Sequence, residues 1–151
     1  MKRFFLAALL AASLCVAQGQ RESVPGAYSA QFTITEGPPG IPPGYTFPVA
    51  FVLHSGGTLT AVSSDPGDGP GCGVWARDLN GDLVLTFLGF EFNSKGAAGS
   101  AKIRIRLKYD ADHSLANGVW YLDLYDVNNS SLGFIRGTLT AARMMVEAPP
   151  N

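Results

Sequence analysis

The sequence predicts an all-β protein in which eight antiparallel strands follow one another as a meander and close into a barrel. Polar and apolar residues alternate with the period of two that is typical of half-buried strands. Most connections between the alternating segments are short and rich in turn-forming residues, and no segment has the apolar spacing of an amphipathic helix. A β-sandwich is the alternative, but it needs long crossovers between its sheets, which only residues 36–46 and 64–73 could supply.

The composition supports one folded domain. The chain has 151 residues, of which 46% are hydrophobic and 15% charged, so it can bury a core and does not have the composition of a disordered segment. Its formal net charge of −1 provides no basic field for binding nucleic acid. We therefore expect a single barrel domain over residues 25–146, followed by a frayed tail at 147–151.

The predicted strands are separated by turns whose chemistry is recognisable. Asn80-Gly81 predicts a type I′ hairpin, and two longer segments, Gly37–Gly44 and Ser64–Gly73, are loops because their prolines have no N–H to donate to a ladder. The eight strands are Tyr28–Thr35, Phe47–Leu53, Thr58–Ser63, Val74–Asp78, Leu83–Phe92, Ala101–Tyr109, Gly118–Asp126 and Leu132–Met145.

Residues 1–19 have the pattern of a secretory signal peptide. Lys2 and Arg3 precede an apolar run that ends at Val16, and small residues fit cleavage after Ala17 or after Gly19. The run is too short for a membrane anchor. A buried N-terminal helix and an acylated Cys15 are the alternatives. The signal predicts a secreted or periplasmic protein.

Removal of that signal leaves Cys72 as the single cysteine. An exported chain with one cysteine has no internal disulfide, and it cannot build a metal site on paired cysteines. Cys72 lies in the predicted loop among glycines and prolines, so we expect it to be dispensable for stability. We expect no cofactor.

Several stretches resemble small secreted calycin-type barrels, which include lipocalin-like proteins and the barrels of allene oxide cyclase and dirigent proteins. The resemblance covers roughly residues 45–145 and implies a closed barrel, but it transfers no functional residue to this chain. It is carried by Gly71-Cys-Gly-Val-Trp75, by Leu83-Val-Leu-Thr-Phe-Leu-Gly-Phe90, and by Asp123-Leu-Tyr-Asp-Val-Asn-Asn-Ser-Ser-Leu-Gly133 with Gly137-Thr-Leu-Thr140.

No metal site is predicted. His54 and His113 lie at a strand end and in a turn, without the spacing of zinc ligands. The segments 78–82 and 126–130 have oxygen-bearing residues at alternate positions, as a calcium loop does. Leu83 and Gly89, however, stand where the first of them would need its glycine and its glutamate. Both segments are better explained as tight turns.

Two carboxylates, Glu91 and Asp123, interrupt apolar strands. A carboxylate that faces the interior would have a raised pKa and could act as an acid or base. The alternative is that both face solvent or pair with the exposed basic residues of the neighbouring strand. That basic row comprises Lys102, Arg104, Arg106 and Lys108.

The function favoured by these observations is binding of a small hydrophobic ligand inside the barrel. A cyclase-like or dirigent-like enzyme that orients a hydrophobic intermediate is one alternative, and its catalytic residues cannot be assigned. A filled barrel that acts as a structural or interaction protein is the other. The residues expected to line the ligand site are Phe32, Phe51, Trp75, Ile105, Trp120 and Leu122.

Two further expectations concern the barrel surface. Gly37–Gly44 is longer than a hairpin needs, so we expect it to border the barrel opening and gate entry, or else to be a plain crossover. The strands Phe47–Leu53 and Leu83–Phe92 are apolar on both faces, so one set of apolar side chains must point outward, which predicts a small homo-oligomer. The competing sets are Val84, Leu88, Phe90 and Phe92 against Leu83, Leu85 and Phe87.

Overall fold

The protein folds as a closed barrel. The computed structural model describes residues 24–65, 67–109 and 115–147, and within them it contains strands and no helix. Each strand pairs antiparallel with the next, and the last pairs with the first. The predicted all-β meander barrel is thus confirmed, and the sandwich alternative is wrong. The strands are β1 (Gly26–Glu36), β2 (Thr46–Leu53), β3 (Thr58–Ser63), β4 (Gly71–Arg77), β5 (Leu83–Asn93), β6 (Gly96–Tyr109), β7 (Leu115–Asp126) and β8 (Ser131–Arg143).

Some expectations fall on other parts of the chain. The predicted signal peptide with its cleavage sites, His113, and residues 148–151 of the tail all lie outside the described residues. Export and cleavage therefore stay predictions.

Alternation along each strand separates an inner and an outer face. On β6, Ile103, Ile105 and Leu107 are buried, whereas the basic row between them is exposed. Arg104 pairs with Asp123 of β7, and the outer row is also held by longer ion pairs, such as that of Arg106 with Asp78 at 3.6 Å. The basic row is therefore a solvated outer face, as expected. Exposed pairs of this kind stabilise a fold by about 0–1 kcal/mol each.

One end of the barrel, here called the packed end, is filled by side chains. Tyr28 stacks on Phe51 with ring centroids 5.2 Å apart, and its hydroxyl donates to the Val24 carbonyl oxygen at 2.8 Å. Tyr109 in turn donates to the Tyr28 hydroxyl at 3.1 Å. Each large apolar side chain fully buried here contributes roughly 1.5–3 kcal/mol. The least exposed large side chains are Phe51, Leu53, Leu59, Leu83, Leu85 and Leu107.

The opposite end, here called the open end, carries the longer connections. Because the strands run as a meander, loops 37–45 and 64–70 and the turns at 94–95 and 127–130 all lie at this end. The turns at 54–57 and 78–82 lie at the packed end. The two long loops therefore border the same opening.

Several strands begin earlier than the sequence pattern indicates, by three or more residues in β4, β6 and β7. β4 begins at Gly71, so Cys72 is a strand residue with an exposed side chain and not a loop residue as expected. Its backbone pairs with Thr60 on β3 and Leu88 on β5. β6 begins at Gly96, because its pairing with β5 continues past a register shift after Glu91.

The hairpin between β4 and β5 is not the predicted type I′ turn. That turn needs a positive φ at two central residues, but only Gly81 has one, at 84°. The Gly81 N–H donates to the Asp78 carbonyl oxygen at 3.0 Å, and the Asp78 carboxylate accepts from the Asn80 and Asp82 N–H groups. The carboxylate thus stabilises a type I turn followed by Gly81 in the left-handed conformation. This stabilisation outweighs the preference of Asn-Gly for a type I′ turn.

Candidate ligand-binding cavity

A cavity of about 490 Å³ opens at the open end of the barrel. Loop 37–45 forms part of its rim through Gly40, Ile41 and Pro42. The loop that was expected to border the opening does so, whereas its gating role stays a prediction. The apolar wall includes Ile34, Phe47, Trp120, Leu122, Leu124 and Ile135.

A smaller chamber of about 80 Å³ lies next to this cavity, towards the packed end. Its wall includes Ala61, Gly71, Gly89 and Ala101, which occupy inward positions on four strands. The inward positions of the same strands at the packed end mostly carry larger side chains, such as Leu59, Trp75, Leu85 and Leu107. Small residues at this level therefore leave space that the packed end does not have. Five residues line both spaces: Phe47, Asp68, Glu91, Trp120 and Leu122.

An aromatic cluster separates the cavity from the packed end. Trp120 is 3% exposed, and its ring centroid lies 5.3 Å from that of Phe32 and 6.0 Å from that of Phe47. The indole N–H donates to the Thr138 carbonyl oxygen at 3.1 Å, so the one polar atom of the ring is satisfied. The ring is thereby held in a fixed position in the cavity wall.

The six residues predicted for the ligand site divide between the two ends of the barrel. Phe32, Trp120 and Leu122 line the chamber, and the latter two also line the cavity. Phe51 and Ile105 are buried within the packed end. Trp75 packs against the core there, and its indole N–H donates to the His54 carbonyl oxygen at 2.9 Å.

Sequence reasoning missed several wall residues. Phe47, Leu124 and Ile135 lie on the inward faces of predicted strands, so the alternation could have identified them. Ile41 comes from the proline-rich loop, for which no periodic signal exists. Asp68 comes from the second loop, which approaches β5 only through tertiary pairing.

Glu91 and Asp123 have opposite environments. Glu91 occupies an inward position on β5 and lines both the cavity and the chamber. Asp123 points outward and pairs with Arg104. This outward pairing is the alternative that the sequence offered for both Glu91 and Asp123. Glu91 is thus the carboxylate that faces the interior.

Burial raises the pKa of Glu91, and the nearby carboxylates of Asp68 and Asp65 raise it further. The pKa of Asp68 is also raised, mainly by burial, although a hydrogen bond with the Ser63 side chain partly offsets this. Both carboxyls hold a proton more readily than an exposed acid would. The cavity wall therefore contains two groups with perturbed acidity.

The other candidate sites serve the turns in which they lie. The Asp126 carboxylate accepts from the Asn128 N–H at 2.9 Å and the Ser130 N–H at 2.7 Å, which reproduces the arrangement at Asp78. The His54 backbone closes the turn before β3. Among the residues that the structure describes, no group of three or more His, Cys, Asp or Glu side chains could hold a metal ion.

The fold and the cavity define a closed, eight-stranded antiparallel barrel that is consistent with a calycin-like fold. Comparison with protein-family models and with curated proteins finds no match to this chain. In the part of the chain that the structure describes, no helix is long and apolar enough to cross a membrane.

Proposed function

We propose that this protein binds a small hydrophobic ligand in the cavity at the open end of the barrel. The observation that carries the proposal is the cavity itself, whose volume of about 490 Å³ falls within the range usual for small-molecule sites. Its wall is mostly aliphatic and aromatic, with few polar groups. A hydrophobic ligand would remove this apolar surface from water, at a gain of about 25 cal/mol per Å².

The half-filled interior supports this function over that of a purely structural barrel. A barrel filled by its own side chains would continue the leucine packing of the packed end to the other end. Here the inward positions next to the cavity instead carry Gly71, Gly89 and Ala101. The missing side-chain volume lies in the chamber next to the proposed site.

Native mass spectrometry of the protein purified from its host, followed by solvent extraction, tests the proposal. We expect a small molecule that remains bound in the gas phase and is released by the solvent. The matched control is Ala98→Phe, which places a ring at the cavity mouth and should reduce occupancy. Wild-type protein that carries no small molecule and binds no added hydrophobic compound would contradict the proposal.

A cyclase-like or dirigent-like enzyme is a second candidate, and Glu91 is the observation that favours it. A carboxyl with a raised pKa in an apolar wall can donate or accept a proton on a bound hydrophobic intermediate. Prolonged incubation of the extracted compound with fresh protein separates the two functions. Unchanged compound indicates a binding protein, whereas conversion that Glu91→Gln abolishes indicates an enzyme.

Export to the cell exterior or periplasm is part of the same proposal. It is supported by the pattern of residues 1–19, and N-terminal sequencing of secreted material tests it. We expect the mature chain to begin at Gln18 or Gln20. Secreted protein that still begins at Met1 would contradict cleavage.

A further inference from the structure

The charged residues of the cavity wall have one sign. Among the described residues that line the cavity, the charged side chains are Asp65, Asp68 and Glu91, and no Lys, Arg or His is present. A pocket for a fatty acid or another anion would require a cationic or donor-rich wall. The polarity of this cavity therefore disfavours an anionic ligand and favours a cationic one.

Asp68 and Glu91 face each other directly. They form an isolated antiparallel bridge, flanked by hydrogen bonds from the Gly69 N–H to Phe90 at 2.7 Å and from the Phe92 N–H to Gly67 at 2.8 Å. This pattern makes them a non-hydrogen-bonded pair, the kind in which opposite side chains approach most closely. Like charges at such positions are destabilising. A cation between them would relieve the repulsion.

Aromatic rings line the same space. Phe47 lies 6.0 Å from Trp120 and 6.2 Å from Tyr45, measured between ring centroids, and all three rings contribute to the cavity wall. Such rings bury the apolar body of a ligand and also attract a nearby organic cation through their faces. The cavity volume, the rings and the carboxylates together fit a ligand that has an apolar body and a positively charged end. Within the described parts of the chain the two facing carboxylates belong to no group of metal ligands, so an organic cation fits better than a metal ion.

We propose that the cavity takes an organic amine with an apolar body, with its ammonium group at Asp68 and Glu91 and its body against Phe47 and Trp120. This inference rests on the proposed function, because it names the chemical class of the same ligand. Burial is the main cause of the raised pKa of each carboxyl, and no salt bridge with a cationic side chain of the described residues offsets it.

The experiment compares three probes with the same nine-carbon body. They are 3-phenylpropylamine, 3-phenylpropan-1-ol and 3-phenylpropanoate, which share the phenyl ring and the carbon count and differ in the polar group and its charge. Trp75→Phe protein is used throughout, because it leaves Trp120 of the cavity wall as the single fluorescent indole. Binding is followed by Trp120 emission at neutral pH, where an alkylammonium group is charged, as Lys is.

We expect the amine to bind about tenfold more tightly than the alcohol, and the carboxylate to bind most weakly. Glu91→Gln and Asp68→Asn should each remove most of the preference for the amine while leaving affinity for the alcohol nearly unchanged. The matched control is Asp123→Asn, which neutralises the outward-facing carboxylate and should leave all three affinities as they were.

The outcomes separate this inference from the proposed function. Equal binding of amine and alcohol, or tighter binding of the carboxylate, would overturn the amine inference and leave hydrophobic ligand binding intact. Saturable binding of none of the three probes would contradict both. If one carboxylate variant does not fold, the other variant and the order of affinities in the parent protein still decide the result.

Discussion

Trp120 on β7 lies directly across the ladder from Gly137 on β8. A Cβ atom at position 137 would stand 2.7 Å from Nε1 of Trp120 and 1.9 Å from the Thr33 carbonyl oxygen. Both distances are far below van der Waals contact, so the absence of a side chain at Gly137 makes room for the indole in the wall. The position of the aromatic cluster therefore depends on one glycine.

Gly137→Ala is expected to destabilise the protein by about 2–3 kcal/mol, since the added methyl group must displace backbone as well as the indole. The matched control is Gly89→Ala, another inward-facing glycine, whose Cβ would meet only Ile103 at an ordinary 3.8 Å. Urea denaturation of both variants checks the prediction. Equal stability of the two variants would show that Gly137 does not position Trp120.

The carboxylates of the cavity wall predict how stability depends on pH. The pKa values of Asp68 and Glu91 lie above their ordinary values of 3.8 and 4.5. The folded state therefore binds these protons more tightly than the unfolded state does. Their contribution to the free energy of unfolding is fully present below the ordinary values and is lost as the pH rises through the raised ones.

Glu91→Gln tests this sign, because the amide is neutral at every pH. The variant should be more stable than the wild type at neutral pH, and the difference should disappear once Glu91 is protonated in both states. Asp123→Asn should instead lower stability at neutral pH by a few tenths of a kcal/mol, since it removes an exposed ion pair. A Glu91→Gln variant less stable than the wild type at neutral pH would contradict the prediction.

Loop 37–45 is expected to control access to the cavity. Ile41 packs against the core and lines the rim, so replacement of Gly37–Gly44 by a Gly-Asn turn would widen the opening. We expect faster release of a hydrophobic probe, measured by stopped-flow fluorescence, and little change in the thermal midpoint. A matched replacement of Ser55-Gly56 at the packed end by Asn-Gly should alter neither. A large fall in the thermal midpoint, accompanied by loss of probe binding, would identify the loop as structural.

The outer face of β3 to β5 is expected to mediate self-association. Leu88 and Phe90 are 47% and 50% exposed, and Val62 and Val74, on the two preceding strands, are each 58% exposed. Leu83, Leu85 and Phe87 are buried, so Leu88 and Phe90 are the β5 side chains that remain accessible on this face. Several exposed apolar side chains on neighbouring strands favour an interface.

Leu88→Glu should shift a micromolar sample towards the monomer in sedimentation velocity. Val119→Glu is the matched control, because Val119, at 58% exposed, is at least as accessible as Leu88 but lies on β7, away from this face. A wild-type protein that sediments only as a monomer would contradict the expectation.

The sequence was sufficient to predict the strands, because alternation distinguishes the inner Ile103, Ile105 and Leu107 from the basic residues between them. It did not locate the cavity. Whether an inward residue packs or lines a space depends on which residues share its level around the barrel, and this requires the register of all eight strands. Phe51 and Trp120 look alike in sequence, yet Phe51 stacks on Tyr28 within the packed end, whereas Trp120 lines the chamber together with Gly71, Gly89 and Ala101. Asp68 was missed because its partner, Glu91, lies 23 positions further along the chain.

Quenching of Trp120 by a brominated neutral ligand tests the central claim most directly. In the Trp75→Phe protein, 3-(4-bromophenyl)propan-1-ol should quench the emission saturably, because a bromine in the cavity contacts the indole. Ala98→Phe in the same background should weaken that effect. Quenching that rises without saturation, and to the same extent in both proteins, would show that the cavity holds no hydrophobic ligand.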